Sequence, residues 1–337
     1  MSGLTGALLV GGASTRFGSP KALARLGGET LAARGRRLLE EACDEVLVVG
    51  KAADGLPFYV LDDGSASRAP VHGVIAGLRA AKHEVVLALP VDVPLVTPGA
   101  LRALGETAAV PDARVPLPGA YPRSMLPVLE ERVRRGELSL RGVNPATVEL
   151  PEGLLVDVDT PAALAELERP GHALVVGGTG MLAGLTSSLA ARDHVVTSVS
   201  REGGEPWAGD ACNSLLQGRI TPVEVDYRDG VALVAALEQA RDDRGPIELA
   251  VCWIHTDAPD APRIVADALA PGARLVQVFG TRVWPLEDVP LHIAYRRVLL
   301  GAKSGRWLTH EEISGGVLEA VDTDRPVSIV GERETGV

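Results

Sequence analysis

The feature that most constrains this chain is a glycine-rich loop close to its amino terminus. Residues 8–21 read LLVGGASTRFGSPK, so a short apolar strand ends abruptly in a loop with one arginine and one lysine. Such a loop can turn its backbone N–H groups toward a phosphate, and Arg16 and Lys21 add two cations. We therefore predict a triphosphate-binding loop in which Arg16 and Lys21 take part in catalysis.

This loop differs from a Walker A loop. The Walker A motif places Gly-Lys-Ser/Thr after four spacer residues, whereas Lys21 follows Ser19 and Pro20. ATP hydrolysis by a P-loop mechanism is therefore disfavoured.

The rest of the sequence has the rhythm of an α/β protein. Its 337 residues suffice for about two domains that each bury a core. Short β-branched runs alternate with stretches rich in Ala, Leu, Arg and Glu, which favour helices. This alternation predicts two doubly wound, mostly parallel Rossmann-like sheets in tandem.

A domain boundary is predicted where charge, proline and glycine follow one another, in the run ELERPGH at 166–172. We predict a first domain at 1–168, a linker at 169–172 and a second domain at 173–337. In the first domain, the predicted strands are 4–10, 45–49, 58–61 and 85–89, and the predicted helices are 30–42 and 72–82. A long irregular tail follows and ends in a helix from Thr160.

Charge and hydropathy restrict the partners. The formal net charge of −11 argues against nucleic acid or an anionic membrane as the main partner, because either would repel the chain. No apolar run approaches the roughly 20 residues that span a bilayer, and the amino terminus lacks a signal-peptide pattern, so we expect a cytoplasmic protein. Cys43, Cys212 and Cys252 are far apart and indicate neither a disulfide framework nor a zinc site.

Three further motifs follow the loop in order: APVHGVIAG at 69–77, LPVDVP at 89–94 and DVDTP at 157–161. Together with the loop they resemble the pattern of the molybdenum cofactor guanylyltransferases over most of residues 1–168. The resemblance implies transfer of GMP from GTP to molybdopterin-type molybdenum cofactor, with release of pyrophosphate. Molybdoenzymes or proteins of cofactor synthesis are then the expected protein partners.

Asp92 is the predicted metal ligand. In-line attack on an α-phosphorus needs positioned phosphates and a hard cation rather than covalent chemistry. Asp92 lies between Pro90 and Pro94 at the end of a predicted parallel strand, where open α/β sheets bind ligands, and its carboxylate suits Mg²⁺. The resemblance adds Asp159 as a second ligand, although a turn before a helix capped by Thr160 is a sufficient structural reason for it.

The residues that contact the nucleotide base are assigned by resemblance alone. The groups implied to contact a guanine nucleotide are the loop residues Leu9, Val10, Gly11 and Gly12, together with Asp62 and the catalytic residues Lys21 and Asp92. Asp62 stands before Asp63-Gly64 and could equally form only a turn.

Two differences from the family pattern leave the identity of the nucleotide base undecided. Ala69-Pro70 stands where the family has Gly-Pro, and Gly50-Lys51 stands where it usually has an Asn. A cytidylyltransferase acting on the same cofactor is therefore the alternative.

A second glycine turn opens the second domain. Residues 177–184 read GGTGMLAG between a predicted strand and helix, a position suited to pyrophosphate. The turn resembles that of short-chain dehydrogenase/reductases, which implies cofactor binding by Gly177, Thr179 and Gly180 and adenine binding by Asp226. Arg201 follows a strand where an NAD site has an acid. We therefore expect NADP(H), with no acid beside Arg201.

Hydride chemistry is not indicated in the second domain. Tyr295 has about the right spacing for a reductase tyrosine, but Leu299 occupies the lysine position of YxxxK, and Lys303 lies further on. Two rival interpretations remain: an NADP-dependent oxidoreductase with a degenerate transferase half, and a non-catalytic nucleotide-binding protein. Intact Lys21 and Asp92 argue against degeneracy of the first half.

Overall fold

The computed structural model describes residues 3–11, 17, 20–51, 55–202 and 218–332. Contacts divide the chain into two compact units, Met1–Arg169 and Pro170–Val337. Gly12, Arg16 and Cys212 lie outside the described residues. Within the described ranges, no helix combines the length and the apolar character needed to cross a membrane.

The N-terminal unit is built on a five-stranded sheet, in which the first strand of the chain is central. The strands of the unit are β1 (Leu4–Leu9), β2 (Arg25–Leu26), β3 (Glu29–Thr30), β4 (Glu45–Gly50), β5 (Leu61–Asp62), β6 (Val85–Pro90) and β7 (Gly119–Pro122). The helices are α1 (Leu31–Ala42), α2 (Pro70–Ala80), α3 (Pro98–Thr107), α4 (Leu126–Arg134) and α5 (Pro161–Leu167), with 3-10 helices at Lys21–Leu23 and Arg123–Met125. The sheet order is β5-β4-β1-β6-β7, and β2 and β3 form a separate hairpin.

The apolar strands are buried on both faces of this sheet. The adjacent residues Ala7 and Leu8 point to opposite faces, and both are fully buried. Such burial explains why β1, β4 and β6 have continuous rather than alternating apolar sequences. Helices begin at threonines: the hydroxyls of Thr30, Thr97 and Thr160 each accept the backbone N–H three residues later.

Parts of the predicted element pattern are wrong. Of the predicted strand 58–61 only Leu61 pairs with β4, in the two-residue strand Leu61–Asp62, and Tyr59 is 82% exposed. The supposed irregular tail contains α3, α4 and β7, which pairs antiparallel with β6. The fully buried Tyr121 of β7 shows why this short strand forms, because long-range packing decides it.

The C-terminal unit contains a seven-stranded sheet. Its strands are β8 (His172–Val176), β9 (Val195–Ser200), β10 (Ile220–Glu224), β11 (Ile247–Cys252), β12 (Arg274–Phe279), β13 (Ala294–Leu300) and β16 (Val327–Val330), and a hairpin is formed by β14 (Ala302–Lys303) and β15 (Arg306–Trp307). The described helices are α6 (Ala183–Ala191), α7 (Gly230–Arg244), α8 (Ala261–Ala268) and α9 (His310–Thr323).

The strand order β10-β9-β8-β11-β12-β13-β16 is that of a doubly wound sheet, and every neighbouring pair is parallel. The predicted α/β class with mostly parallel sheets is confirmed. β8 begins at His172, which the sequence assigned to the linker. The ring of His172 bonds Thr197 Oγ1 and the backbone oxygen of Gly245, which fixes this residue in the sheet.

Candidate active site

Lys21 lies in the centre of an acidic cluster in the N-terminal unit. It opens the 3-10 helix after Pro20, and its Nζ donates to Asp92 Oδ2 at 3.0 Å and to Asp159 Oδ1 at 2.5 Å. The Lys21 side chain is only 12% exposed. Burial lowers the pKa of Lys21, but the hydrogen bonds to Asp159 and Asp92 outweigh it and hold the pKa above its ordinary value. The ammonium group is therefore charged at neutral pH.

Two distant sequence motifs meet at this cluster. Asp92 follows β6, and its backbone oxygen accepts the N–H of Val158 at 2.8 Å. This hydrogen bond places Asp159 beside Asp92, and Thr160 then starts α5. The sequence singled out Lys21, Asp92 and Asp159 separately, and the fold brings all three together.

Asp157 is a third carboxylate at this place, and the sequence analysis did not select it. Its pKa is raised by burial and by the neighbouring Asp92 and Asp159 carboxylates, and Lys21 offsets this only in part. The available signal was its position two residues before Asp159, because alternate residues of an extended segment face the same side.

The carboxylate oxygens of the cluster are suitable ligands for a Mg²⁺ ion that also binds substrate phosphates. Asp92 and Asp159 both bond Lys21 Nζ, so their carboxylate oxygens lie close to one another. In the described part of the chain, no group of three or more His, Cys, Asp or Glu residues could hold a metal ion by itself. Mg²⁺ is commonly bound by one or two carboxylates plus phosphates and water, which matches this arrangement.

The predicted nucleotide-binding backbone lies beside the cluster at the end of β1. The oxygen of Leu9 accepts the N–H of Val91, and the N–H of Val10 donates to Val49. These two groups are already used within the sheet. A nucleotide would therefore have to use other backbone groups of this predicted set.

Asp62, the predicted base contact, is paired with Lys51. Lys51 Nζ lies 2.7 Å from Asp62 Oδ1 and 2.7 Å from Asp63 Oδ1. These hydrogen bonds raise the pKa of Lys51, and the Lys51 and Gly64 donors lower the pKa of Asp62. The turn interpretation of Asp62 also holds, since its Oδ1 accepts the Gly64 N–H at 2.7 Å.

The second glycine turn occupies the end of β8 in the C-terminal unit. Gly177 has φ +83°, and a Cβ there would lie 2.9 Å from the Trp253 oxygen. A Cβ on Gly178 would lie 2.2 Å from Ser198 Oγ, so both positions require glycine. Thr179 is half-buried, Gly180 is exposed, and α6 begins without a side-chain cap.

Arg201 has an acidic neighbour, which corrects one expectation. Its Nη1 lies 3.8 Å from Asp257 Oδ2, and its guanidinium stacks on the Tyr227 ring. Asp257 also lies 3.7 Å from Arg228. The sequence pattern missed this pair because Asp257 comes from the segment after β11, far from Arg201 in the chain.

Asp226, assigned to adenine, is held by Arg228. Arg228 Nη2 donates to Asp226 Oδ2 at 2.6 Å, and this interaction lowers the pKa of Asp226 to about 2. An adenine contact would therefore share this carboxylate with Arg228.

Tyr295 lies within β13 rather than on a helix. Its hydroxyl donates to Gln277 Oε1 at 2.6 Å, and burial raises its pKa to about 12. The connection from β12 to β13 contains no helix, and Lys303 Nζ donates to Glu312. Burial therefore keeps the Tyr295 phenol neutral, and its hydrogen bond to Gln277 is a structural role for this side chain.

Known proteins match parts of the chain. The family model described as the MobA-like NTP transferase domain matches residues 6–147. A probable molybdenum cofactor guanylyltransferase of Opitutus terrae is 37% identical over 155 residues, which cover 42% of this chain and 77% of that protein. The molybdenum cofactor guanylyltransferase of Pseudomonas syringae pv. syringae is 31% identical over 184 residues, covering 48% of this chain and 92% of that protein. The chain belongs to the molybdenum cofactor guanylyltransferase family.

Other matches of this guanylyltransferase-family chain are partial. It spans 64% of the length of a probable molybdenum cofactor guanylyltransferase of Chloroflexus aggregans, at 35% identity over 37% of its own length. Among solved structures, a nucleotidyl transferase from Methanothermobacter is 20% identical, with a TM-score of 0.41, over 49% of this chain and 96% of that one. A short-chain dehydrogenase/reductase from Serratia marcescens is 16% identical, with a TM-score of 0.37, over 48% of this chain and 97% of that one.

Membership of the guanylyltransferase family confirms the resemblance predicted for the first half and makes its N-terminal unit a nucleotidyltransferase domain. Sequence reasoning overlooked two groups at the site of this domain, the Asp157 carboxylate and the Lys51 ammonium. It had noted Lys51 only as a departure from the family.

Proposed function

We propose that this protein transfers GMP from GTP to the phosphate of molybdopterin-type molybdenum cofactor. The observation that carries the proposal is the Lys21–Asp92–Asp159 cluster beyond the carboxyl ends of the parallel strands β1 and β6, in a chain of this family. An acceptor phosphate oxygen forms a bond to the α-phosphorus. The bond from that phosphorus to the bridging oxygen breaks, and pyrophosphate leaves with the electron pair.

The residues of the chain contribute positioning and charge to this step. Lys21 would donate hydrogen bonds to the phosphates and stabilise the negative charge that grows on the leaving pyrophosphate. Asp92 and Asp159 orient the Lys21 ammonium and would hold Mg²⁺, which when bound neutralises phosphate charge. The Val158 hydrogen bond to Asp92 keeps the two carboxylates together.

Pyrophosphate release tests this function directly. The 337-residue chain is incubated with Mg²⁺, molybdopterin and GTP, CTP, ATP or UTP in turn, and pyrophosphate is measured. We expect release with GTP that depends on both acceptor and Mg²⁺. Absence of release with every nucleotide would refute the proposal.

GTP is expected to be a better donor than CTP. Gly11-Gly12 and the Pro-x-Asp-x-Pro turn around Asp92 match the guanylyl pattern, although Ala69 and Lys51 depart from it. We therefore expect a higher kcat/KM with GTP. Release with CTP alone would assign the chain to cytidylyl transfer instead.

For the C-terminal unit the proposal is NADP(H) binding without established hydride transfer. Its glycine turn follows β8, the strand at which the sheet order reverses, and dinucleotides bind at such switch points. The uncapped start of α6 offers N–H groups to a pyrophosphate, and Arg201 offers a guanidinium to the 2′-phosphate.

A further inference from the structure

Lys51 lies among the groups to which the nucleotide base is assigned. In the register between β4 and β5, Gly50 pairs with Asp62, so Lys51 follows directly beside that carboxylate. Gly50 approaches the first loop closely: with its φ of +136°, a Cβ on Gly50 would lie 2.7 Å from the Gly11 N. A Cβ on Gly11 would in turn lie 3.5 Å from the Lys51 N and 3.9 Å from Asp63 Oδ2. The Gly11 backbone, the Lys51 ammonium and the carboxylates of Asp62 and Asp63 therefore lie close together.

The hydrogen-bonding capacity of Lys51 is only partly used. A lysine ammonium has three N–H donors. Two of its acceptors are Asp62 Oδ1 and Asp63 Oδ1. Within the described residues Lys51 has no further acceptor, so one N–H remains for a ligand. The Asp63 side chain is only 6% exposed and accepts the Ser65 N–H as well, which makes it a fixed anchor for the ammonium.

The Asp62 carboxylate can also accept a further hydrogen bond. Its Oδ1 accepts from Lys51 and Gly64, whereas its Oδ2 accepts no hydrogen bond from the described part of the chain. The Asp62 side chain is 68% exposed. The pair thus presents one cationic donor next to one anionic acceptor.

Of the four bases, guanine matches this pair best. Guanine carries the O6 acceptor beside donors at N1 and N2, whereas adenine places an amino group where guanine has O6. Cytosine has only its N4 amino group to offer the carboxylate. Uracil has an O4 acceptor beside its N3–H donor but lacks the second donor that guanine has at N2. An amino group facing an ammonium cannot form a hydrogen bond, since both are donors.

We propose that Lys51 is a specificity residue of the transferase site, which donates a hydrogen bond to O6 of guanine while Asp62 accepts from the N1 and N2 edge. Asp63 is the positioning residue that holds Lys51 in place. This inference rests on the proposed guanylyl transfer for the identity of the nucleotide.

Nucleotide analogues that change one atom of the base test the inference. Dissociation constants of the whole 337-residue chain for GTP, 6-thio-GTP and ITP are measured by calorimetry without acceptor, and kcat/KM is measured with acceptor. 6-Thio-GTP weakens the acceptor at position 6, and ITP removes the amino group at position 2. We expect the wild type to prefer GTP to 6-thio-GTP several-fold, because sulfur still accepts a hydrogen bond but more weakly than oxygen, and loss of the whole bond to a charged group would cost about tenfold or more.

The variant Lys51→Met should lose most of this preference while retaining the preference for GTP over ITP. Lys51→Arg keeps a cationic donor and should retain part of the preference at position 6. Lys82→Met is the matched control, because Lys82 pairs with Glu45 at the opposite end of β4. It should bind all three nucleotides like the wild type.

The outcomes separate this inference from the function on which it rests. If Lys51→Met weakens all three nucleotides equally, Lys51 only stabilises the site and the inference fails. It also fails if the wild type does not distinguish GTP from 6-thio-GTP. A preference at position 6 that depends on Lys51, in a protein that releases no pyrophosphate, would support the inference and refute the proposed transfer. Absence of GTP binding would refute both.

Discussion

At the scale of single residues, the Lys21 ammonium links the acidic motifs of the site. It bonds Asp92 and Asp159, which come from segments far apart in the chain. A lysine held between two carboxylates is oriented before substrate arrives. When a triphosphate enters, the same ammonium can exchange carboxylate for phosphate oxygens without a large movement.

Asp92→Asn should abolish nucleotidyl transfer and leave the fold intact. The amide preserves the shape of the side chain but loses the charge that would hold the metal and orient Lys21. Activity is measured as pyrophosphate release at saturating Mg²⁺, and the fold by circular dichroism. Asp112→Asn is the control, because the side chain of this exposed aspartate accepts the Arg114 N–H in a surface turn. Near-normal turnover of Asp92→Asn would show that this carboxylate is not a metal ligand.

Lys21→Ala should lower transfer by roughly 10²–10³-fold, the typical cost of losing one charge-stabilising donor. The loss should fall mainly on kcat, since the charge that Lys21 stabilises grows in the transition state. Lys82→Ala, at an exposed lysine, should leave the rate unchanged. An unchanged rate in Lys21→Ala would mean that the ammonium serves only to pair Asp92 and Asp159.

At the scale of secondary-structure elements, the helix α5 holds one side of the site. Thr160 Oγ1 accepts the Ala163 N–H at 3.1 Å, and Pro161 occupies the first helical position. This cap fixes the chain direction immediately after Asp159. The cap therefore explains why α5 begins here, and it also positions Asp159 for the proposed chemistry.

Thr160→Ala should destabilise the protein by about 1 kcal/mol, the usual cost of losing an N-cap hydroxyl. Because Asp159 precedes the cap, the variant should also raise the KM for Mg²⁺. Thr160→Ser retains the hydroxyl and should restore both properties. Urea unfolding and a magnesium titration of pyrophosphate release provide the two measurements. Full stability in Thr160→Ala would show that packing alone fixes α5.

The elements predicted from sequence were those with a local signal. β1, β4, β6 and β8 are apolar runs, and the cap at Thr160 is readable from Thr-Pro alone. β7 was missed because its four residues owe their place to pairing with β6. The ion pairs of Arg201 with Asp257 and of Lys51 with Asp63 were missed for the same reason: they join segments from different strand ends, which no local pattern reveals.

At the scale of the whole molecule, the sheets of the two units share one topological feature. β1 lies between β4 and β6, and β8 lies between β9 and β11, so the strand order reverses at the first strand of each unit. In both units the glycine-rich segment follows that strand. The crevice at such a reversal point is where open α/β sheets bind nucleotides. This shared strand order is the architectural argument for the nucleotide sites proposed in the two units.

The protein should bind NADP(H) more tightly than NAD(H), by about tenfold or more, through Arg201 and the 2′-phosphate. Arg201→Ala should remove this preference. Asp257→Asn should increase it, because the Asp257 carboxylate competes with phosphate for the guanidinium. Arg219→Ala is the control, since Arg219 pairs with Asp193 at the other end of the sheet. Equal affinity for both cofactors, or no effect of removing Arg201, would contradict the assignment.

The same protein should show little or no reduction of simple carbonyl compounds with NADPH. Proton transfer by a tyrosine near neutral pH requires a lowered pKa, whereas burial raises that of Tyr295 to about 12. Its hydroxyl is already bonded to Gln277 and to the Leu286 N–H. Tyr295→Phe should therefore leave cofactor binding unchanged and lower stability by about 1 kcal/mol, as for loss of a buried hydrogen bond. NADPH oxidation that disappears in Tyr295→Phe would show instead that the C-terminal unit is a reductase.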